Sequence, residues 1–224
     1  ETTQRPMDTL EKLIEEFKKF PGIGPRQARR FAYHILHLDN ADAEHLSALV
    51  GKLKTGIATC SRCHRFFSLK NAQMNPPLCA ICLDQNRDHR TLMILTQDTD
   101  INAVEQRRIY NGLYFVMGKN AELSSLDPLT LPRLRDLEDR LRADANASAD
   151  EGANAVREII LAMNANTEGE HTGEIIERKL REINASLPAD KRFKVTALGR
   201  GLSTGTELEY SDTETLKSAI ENRR

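Results

Sequence analysis

The sequence predicts a multidomain α/β protein in which N-terminal helices and a four-cysteine module precede a mainly parallel sheet flanked by helices. Three observations predict it: helical apolar spacing over the first fifty residues, two Cys-x2-Cys pairs, and short apolar runs that alternate with amphipathic stretches after residue 90. Strands that alternate with helices favour a parallel sheet covered on both faces. The 224 residues, 39% hydrophobic and 29% charged, have an ordinary globular composition.

Two amphipathic helices joined by a tight turn are predicted at the N-terminus. The first helix starts at an N-cap, Asp8 or Thr9, and ends before Pro21. Its buried positions are expected to be Leu10, Leu13, Ile14 and Phe17. The second helix begins at Pro25, a residue suited to the first helical position, and is expected to bury Ala28, Phe31, Ala32, Ile35 and Leu36. A third helix carries one apolar face made of Leu46, Leu49, Val50 and Leu53.

The turn between the first two helices has the chemistry of a phosphate site. Its glycines permit backbone conformations closed to other residues, and amides at a helix start have no partner inside the helix. Arg26 and Arg30 lie one turn apart and add positive charge on the same side. The predicted DNA contacts are Gly22, Ile23, Gly24, Arg26, Arg29 and Arg30. Such contacts reach the sugar-phosphate backbone and no base edge, so binding is expected without sequence preference. The alternative is a helical turn with solvated arginines.

Charge and aromatic content limit how the chain can bind nucleic acid. The formal net charge is −1, so any attraction to phosphate must come from a local basic patch. Aromatic residues make up 5% and Trp is absent, which is unfavourable for a surface that binds single strands by base stacking.

The four cysteines, Cys60, Cys63, Cys79 and Cys82, form two Cys-x2-Cys pairs separated by fifteen residues. This spacing predicts one structural Zn²⁺ per chain, and four sulfur ligands leave no open position for catalysis. The alternatives are two disulfides, or His64 as a competing ligand, although His64 is expected at the surface or beside the ligands. Residues 1–8 lack a secretion-signal pattern and no apolar stretch reaches membrane-spanning length, which favours reduced thiols in the cytoplasm.

Strands and helices are predicted to alternate through the rest of the chain. The predicted strands cover residues 91–95, 113–116, 158–163, 193–198 and 207–210. The predicted helices cover residues 102–108, 131–141, 170–183 and 212–222. Residues 144–154 are small and polar, with no large apolar side chain, and are expected to form a surface loop.

Four motifs in this order resemble the RecR family of bacterial recombination mediators along nearly the whole chain. They are FPGIGPRQARRFAYHIL at 20–36, CSRC with CAICLDQNRD at 60–63 and 79–88, ILAMNANTEGEHT at 160–172, and ALGRGLSTGTELEYSDTETLKSAIENRR at 197–224. The resemblance implies a helix-hairpin-helix DNA-binding domain at 1–56, a four-cysteine zinc finger at 57–88 and a Toprim-like domain at 89–198. It also implies a C-terminal Walker-B-like segment for subunit association at 199–224.

The resemblance also implies a function. RecR-like proteins form ring- or clamp-shaped homo-oligomers around DNA, typically tetramers, and act with RecO and, in many organisms, RecF. Together they promote loading of RecA at gaps coated by single-strand-binding protein. Acidic Toprim residues contact RecO in such proteins, so Glu168 and Glu170 are the candidate contacts here. The alternative for these two glutamates is a solvated helix start that stabilises its own dipole.

The sequence departs from Toprim enzymes at the positions that hold magnesium. Such enzymes need several carboxylates beside the phosphate, whereas this chain has Thr96 and Gln97 after the first strand and Asn164 and Asn166 after a later one. Because neutral side chains cannot replace that charge, no catalysis is predicted. The alternative is a magnesium-dependent nuclease or topoisomerase-like enzyme that uses nearby acids, namely Asp98, Asp100, Glu168 and Glu170. A G-x4-G-K-[ST] loop is absent, so ATP hydrolysis is not predicted.

Overall fold

The computed structural model describes residues 8–69, 75–118, 132–146 and 155–199, together with Thr213, Thr215, Lys217 and Ile220. The chain divides into two compact units, Glu1–Ile57 and Ala58–Arg224. The predicted strand at 207–210 lies outside the described residues, and the predicted helix at 212–222 is described only at the four isolated positions, all helical. Within the described ranges, no helix is both long and apolar enough to cross a membrane.

The first unit contains three helices. They are α1 (Thr9–Lys18), α2 (Pro25–Leu36) and α3 (Asn40–Gly56). The predicted cap is present, because the Asp8 carboxylate accepts a hydrogen bond from the Glu11 amide at 2.8 Å. The ring of Phe17 meets the rings of Phe20 and Phe31 edge-on, each with a centroid separation of 5.8 Å. These aromatic contacts join α1 to α2.

The apolar faces of this unit are less buried than predicted. Ala28 and Ala32 are buried, but Phe31 and Leu36 on the same helix are exposed, and the stripe of α1 is only half-buried. The expectation of a fully buried stripe on each of these two helices is therefore wrong. On α3 the exposed fraction is 40% for Leu46, 53% for Leu49, 65% for Val50 and 63% for Leu53. Three short helices bury too little surface to enclose every apolar side chain they carry.

The second unit begins with a two-stranded sheet, β1 (Ile57–Thr59) and β2 (Phe66–Ser68), followed by the short helix α4 (Ala80–Leu83). The main sheet has four parallel strands in the order β4-β3-β5-β6. They are β3 (Asp88–Leu95), β4 (Gly112–Val116), β5 (Glu158–Ala162) and β6 (Lys194–Ala197). The parallel sheet predicted from the alternating pattern is confirmed.

Three longer helices connect the strands of the main sheet. They are α5 (Asp98–Arg107), α6 (Pro132–Asn146) and α7 (Thr167–Ser186). The apolar face predicted for α7, made of Ile175, Ile176, Leu180 and Ile183, is buried. The predicted loop at 144–154 is wrong in its first part, because α6 continues to Asn146. Ala145 is buried there and holds the last turn of the helix against the core.

One apolar core runs through the second unit. It contains the four cysteines together with side chains of β3, β4, β5, α6 and α7. All five residues of β4 are buried, as is typical of a strand within a covered parallel sheet. The cysteine module is therefore packed on the sheet, and the boundary drawn between them at residue 88 stays a prediction.

Candidate metal centre and DNA-contact helix

The four cysteines converge on one point. Their sulfur atoms all lie within 4.8 Å of one another, and the four residues are between 0% and 3% exposed. Cys63 Sγ and Cys79 Sγ are 3.7 Å apart. Four sulfurs at Zn–S distances of about 2.3 Å have edges of about 3.8 Å in a tetrahedron, so the cluster fits a zinc ion. No other group of three or more His, Cys, Asp or Glu side chains in the described ranges could hold a metal.

Backbone hydrogen bonds shape the two cysteine turns. The Cys60 amide donates to the Arg65 carbonyl at 2.8 Å, and the His64 amide donates to the Cys60 carbonyl at 2.9 Å. His64 has φ 60, a left-handed conformation that closes the turn. The Cys79 amide donates to Cys60 Sγ at 3.4 Å, and so links the second turn to a sulfur of the first. The chain thereby brings all four sulfurs together.

The protons of the thiols are unevenly held. Hydrogen bonds from Cys63, Cys79 and Cys82 lower the pKa of Cys60, whereas the hydrogen bond with Cys60 raises the pKa of Cys63. A divalent cation bound at the centre would favour the thiolate form of every ligand. Four sulfur ligands would leave no position for water or substrate on a bound ion.

His64 lies inside the unit and beside the cluster. Its ring meets Phe115 edge-on at 5.0 Å between centroids, and its Nε2 is 3.2 Å from Asp136 Oδ2. Burial, the larger cause, and the positive charge of Arg133 lower the pKa of His64. Since the ring packs on β4 and contacts Asp136 on α6, His64 takes the second of its two predicted positions, beside the ligands.

The cysteine module is bonded directly to the sheet. The Val116 amide at the end of β4 donates to the Cys63 carbonyl at 2.9 Å. The Phe66 amide donates to Asp98 Oδ1 at the start of α5, also at 2.9 Å. On α6, Arg140 Nη1 donates to the Arg62 carbonyl at 3.2 Å. The sequence pattern gave no sign of Arg140, because a charged residue on an amphipathic helix is ordinarily solvated.

In the first unit, the turn before α2 has the geometry expected of a helix-hairpin-helix. Gly22 has φ 75, a value that favours glycine, and Gly24 is the N-cap of α2 without a side-chain cap. The Ile23 amide donates to the Phe20 carbonyl at 3.1 Å and so closes the turn, and the DNA contact assigned to this residue stays a prediction. For the amides of Gly22 and Gly24, the described part of the chain shows no acceptor.

The three arginines at the start of α2 are exposed. Arg26, Arg29 and Arg30 are all exposed, whereas Ala28 and Ala32 are the two buried residues of this helix. Within the described ranges, none of the three has a carboxylate within ion-pair distance. The positive charge therefore lies on the exposed side of α2, next to the open amides of the turn.

The carboxyl edge of the main sheet has few free carboxylates. A cleft of about 390 Å³ is lined there by Thr96, Gln97, Asp98 and Arg133, among others. Asp98 accepts the Phe66 amide, and Asp100 Oδ2 accepts the Gln97 amide at 3.0 Å as part of a capping box. Burial raises the pKa of Asp98. Of the carboxylates near this edge, Asp100 thus caps α5 and Asp98 holds β2.

The second predicted Toprim position forms a helix cap. Asn166 Oδ1 accepts the Gly169 amide at 2.8 Å and so begins α7. The backbone of Asn164 lies against Gly169, where an added Cβ would overlap the Asn164 carbonyl oxygen. Glu168 and Glu170 are exposed in the first turn of the same helix. These two glutamates flank the buried Gly169 and face solvent.

Three family models match separate parts of the chain. The model of the RecR helix-hairpin-helix matches residues 10–52, the Toprim domain matches 90–187, and the RecR C-terminal model matches 201–224. Recombination protein RecR of Desulforudis audaxviator (strain MP104C) is 38% identical over 214 residues, 95% of each chain. The chain belongs to the RecR family. Recombination protein RecR of Staphylococcus aureus (strain JH9) and that of Mycolicibacterium smegmatis (strain ATCC 700084 / mc(2)155) are 35% and 34% identical, over 96% of each chain.

Membership of the RecR family supports a role in recombination and repair. The fold of the chain is the one predicted: a helix-hairpin-helix, a four-cysteine cluster compatible with a zinc finger, and a Toprim domain.

One group of interacting residues near the cysteine cluster was not predicted from the sequence. Arg87, Glu105 and Tyr114 form a network in which the guanidinium pairs with the carboxylate and Tyr114 Oη donates to Glu105 Oε1 at 2.6 Å. It ties the segment after the second cysteine pair to α5 and β4.

Proposed function

We propose that the protein is a non-enzymatic, DNA-binding mediator of recombinational repair that closes around DNA as a homo-oligomeric ring or clamp, most simply a tetramer. It acts in the bacterial cytoplasm, at the nucleoid, with RecO as partner and RecF as a second one, and promotes loading of RecA at gaps. The observation that carries the proposal is the exposed start of α2. Its three arginines adjoin open amides and have no ion-pair partner among the described residues.

The arginines of α2 are expected to neutralise phosphates of duplex, single-stranded or gapped DNA. Each phosphate neutralised on B-DNA contributes about 0.9 to the slope of log affinity against log salt concentration. The double variant Arg26→Ala with Arg30→Ala should therefore reduce that slope by up to about 2 and weaken binding most at low salt.

A mobility-shift titration with gapped duplex at several salt concentrations measures both quantities. The matched control removes two exposed arginines of the other unit, Arg107→Ala with Arg181→Ala. Unchanged affinity and slope in the α2 variant, or an equal loss in the control, would refute the assignment of the phosphate contact to α2.

The proposal that the Toprim edge performs no bond chemistry is supported by how its side chains are used. Asp98 and Asp100 accept backbone amides, and Asn166 caps α7. A magnesium site would need several free carboxylates at one point. The purified protein should leave supercoiled plasmid intact in magnesium, and nicking that disappears in Asp98→Asn would establish the enzyme instead.

We assign the metal of the cysteine centre as one structural Zn²⁺ per chain, because four thiolates in a tetrahedron are its preferred set. Metal analysis should give one zinc per wild-type chain and a reduced content in Cys60→Ala. Since the cysteines belong to the core of the second unit, chelation should also lower the thermal stability of that unit. A full equivalent of zinc in Cys60→Ala would contradict the ligand assignment.

Assembly and partner contact rest on two exposed surfaces. The apolar face of α3 is largely uncovered within its own unit, and contact between copies would remove it from water. Glu168 and Glu170 stand exposed at the start of α7, where a basic surface of RecO can reach them. Glu168→Gln with Glu170→Gln should weaken RecO capture and leave the affinity for gapped DNA unchanged.

A further inference from the structure

The Arg140 side chain is buried beside the cysteine cluster with part of its charge unmatched. It is 7% exposed, and its Nη1 donates to the carbonyl of Arg62, the residue just before the metal ligand Cys63. Its Nε and Nη2 are buried and have no hydrogen-bond partner in the described part of the chain. A buried guanidinium in this condition is costly unless a negative charge lies close to it.

The one carboxylate beside Arg140 does not balance the charge. Asp144 Oδ2 is 3.9 Å from Arg140 Nε and makes no hydrogen bond. Its other oxygen, Oδ1, is 3.8 Å from Arg62 Nη2. Two guanidinium groups therefore share one carboxylate, and a positive charge remains between α6 and the first cysteine turn.

The cysteine centre is the other charged group of this core. Four thiolates around a divalent ion have a net charge of −2, and all four sulfurs come from buried residues. Burial lowers the pKa of Arg140 and Arg62 lowers it further, whereas Asp144, Cys82 and Cys63 act in the opposite direction. The bond from Arg140 Nη1 to the carbonyl of Arg62, one residue before Cys63, places this guanidinium at the first cysteine turn.

We propose that Arg140 is the counter-charge of the metal centre: its guanidinium compensates the negative tetrathiolate and ties it to α6. The inference rests on the proposed metal site. Arg140 is a positioning residue, since its bond goes to the carbonyl next to Cys63 and to no metal ligand. Metal occupancy and the packing of α6 on the cysteine module then stabilise each other.

Zinc affinity of the full-length protein, measured by competition with a chromophoric chelator, tests this role. Arg140→Gln keeps a donor for the Arg62 carbonyl and removes the charge, whereas Arg140→Lys keeps the charge. Loss of a group that supports metal ligands typically weakens metal binding about 10- to 100-fold, so Arg140→Gln should raise the zinc dissociation constant by that factor. Arg140→Lys should stay within about a factor of ten. The control Arg181→Met, 75% exposed on α7, should bind zinc like the wild type.

Thermal unfolding with and without zinc separates charge compensation from ordinary packing. Arg140→Gln should lower the unfolding temperature of the zinc-loaded protein much more than that of the chelator-treated protein, because four thiolates around the ion hold a fixed net charge of −2, whereas free thiols can take up protons. Equal losses in the two states, or wild-type zinc affinity in Arg140→Gln, would overturn the inference. If Arg140→Gln does not fold, a loss of zinc affinity of more than about tenfold in Arg140→Lys would also overturn the inference. A wild-type chain without zinc would refute the metal site itself.

Discussion

Replacing Gly169 with alanine should destabilise the second unit, because this position has no room for a side chain. A Cβ there would overlap the carbonyl oxygen of Asn164 and lie 2.9 Å from its carbonyl carbon. The obstacle is backbone, fixed between β5 and the cap of α7 by the bond from the Gly169 amide to Asn166. The connection after β5 must shift to admit the methyl group.

The net effect combines two opposing contributions. Forced overpacking costs about 1–3 kcal/mol, and a rigid backbone obstacle puts Gly169→Ala near the upper end. Alanine stabilises a helix interior by about 1 kcal/mol relative to glycine, so the free energy of unfolding should fall by about 2 kcal/mol in total. Gly173 lies one turn further on, where a Cβ would meet only Met163 Cγ at 3.5 Å. Gly173→Ala should therefore gain about 0.5–1 kcal/mol.

Urea unfolding followed by circular dichroism, with hydrogen exchange of the α7 amides, measures the difference between these two variants. With a slope of about 2 kcal/mol/M, the midpoint should fall by about 1 M in Gly169→Ala and rise by about 0.3–0.5 M in Gly173→Ala. Equal midpoints for the two variants would refute the assigned clash. A loss in both would mean that α7 tolerates no added methyl group, whatever lies beside it.

Two further predictions concern an ion pair and a surface. Burial alone would raise the pKa of Glu105, but hydrogen bonds from Arg87 and Tyr114 hold it below its ordinary 4.5, so the stability from this pair is present at neutral pH and lost in acid. Glu105→Gln should cost about 1–3 kcal/mol at pH 7, and this cost should shrink as the pH falls below 4.5; urea unfolding at a series of pH values measures it, and a pH-independent loss would contradict it. The double variant Leu49→Ser with Leu53→Ser should lower the mass measured by light scattering without loss of helix content. The control Lys54→Ser should leave the mass unchanged, and an unchanged mass in the double variant would exclude this face from assembly.

Buried elements of the second unit could be predicted from the sequence because burial imposes a pattern on them. The continuous apolar run of β4 and the apolar stripe of α7 are examples. The predicted ends of helices were less accurate where polar side chains determine the first residue. Helix α5 begins at Asp98, before its predicted start at residue 102, because Gln97 and Asp100 form a capping box that apolar periodicity cannot register.

Two features could not be predicted because they depend on tertiary contacts. Apolar spacing on α2 and α3 identifies which side chains share a face, but the chain within this unit does not cover Leu36 or Leu53. Arg140 differs from its solvated neighbours only through a carbonyl 78 positions away in the sequence. The convergence of four cysteines, by contrast, follows from ligand spacing, since two short turns are enough to bring their sulfurs together.

Because the Val116 amide donates to the Cys63 carbonyl and Phe115 packs edge-on against His64, a fragment that starts at residue 89 would lack contacts on which the sheet depends. Such a fragment would leave a strand end and an aromatic ring uncovered, and would aggregate during expression. Both cysteine pairs leave the ribosome before any strand of the main sheet. The nascent chain can therefore bind a metal ion before β4 is synthesised, and β4 can then pack against the folded cysteine module. With the proposed zinc as that ion, its supply during translation should govern the yield of the whole second unit, well beyond the metal's immediate neighbourhood.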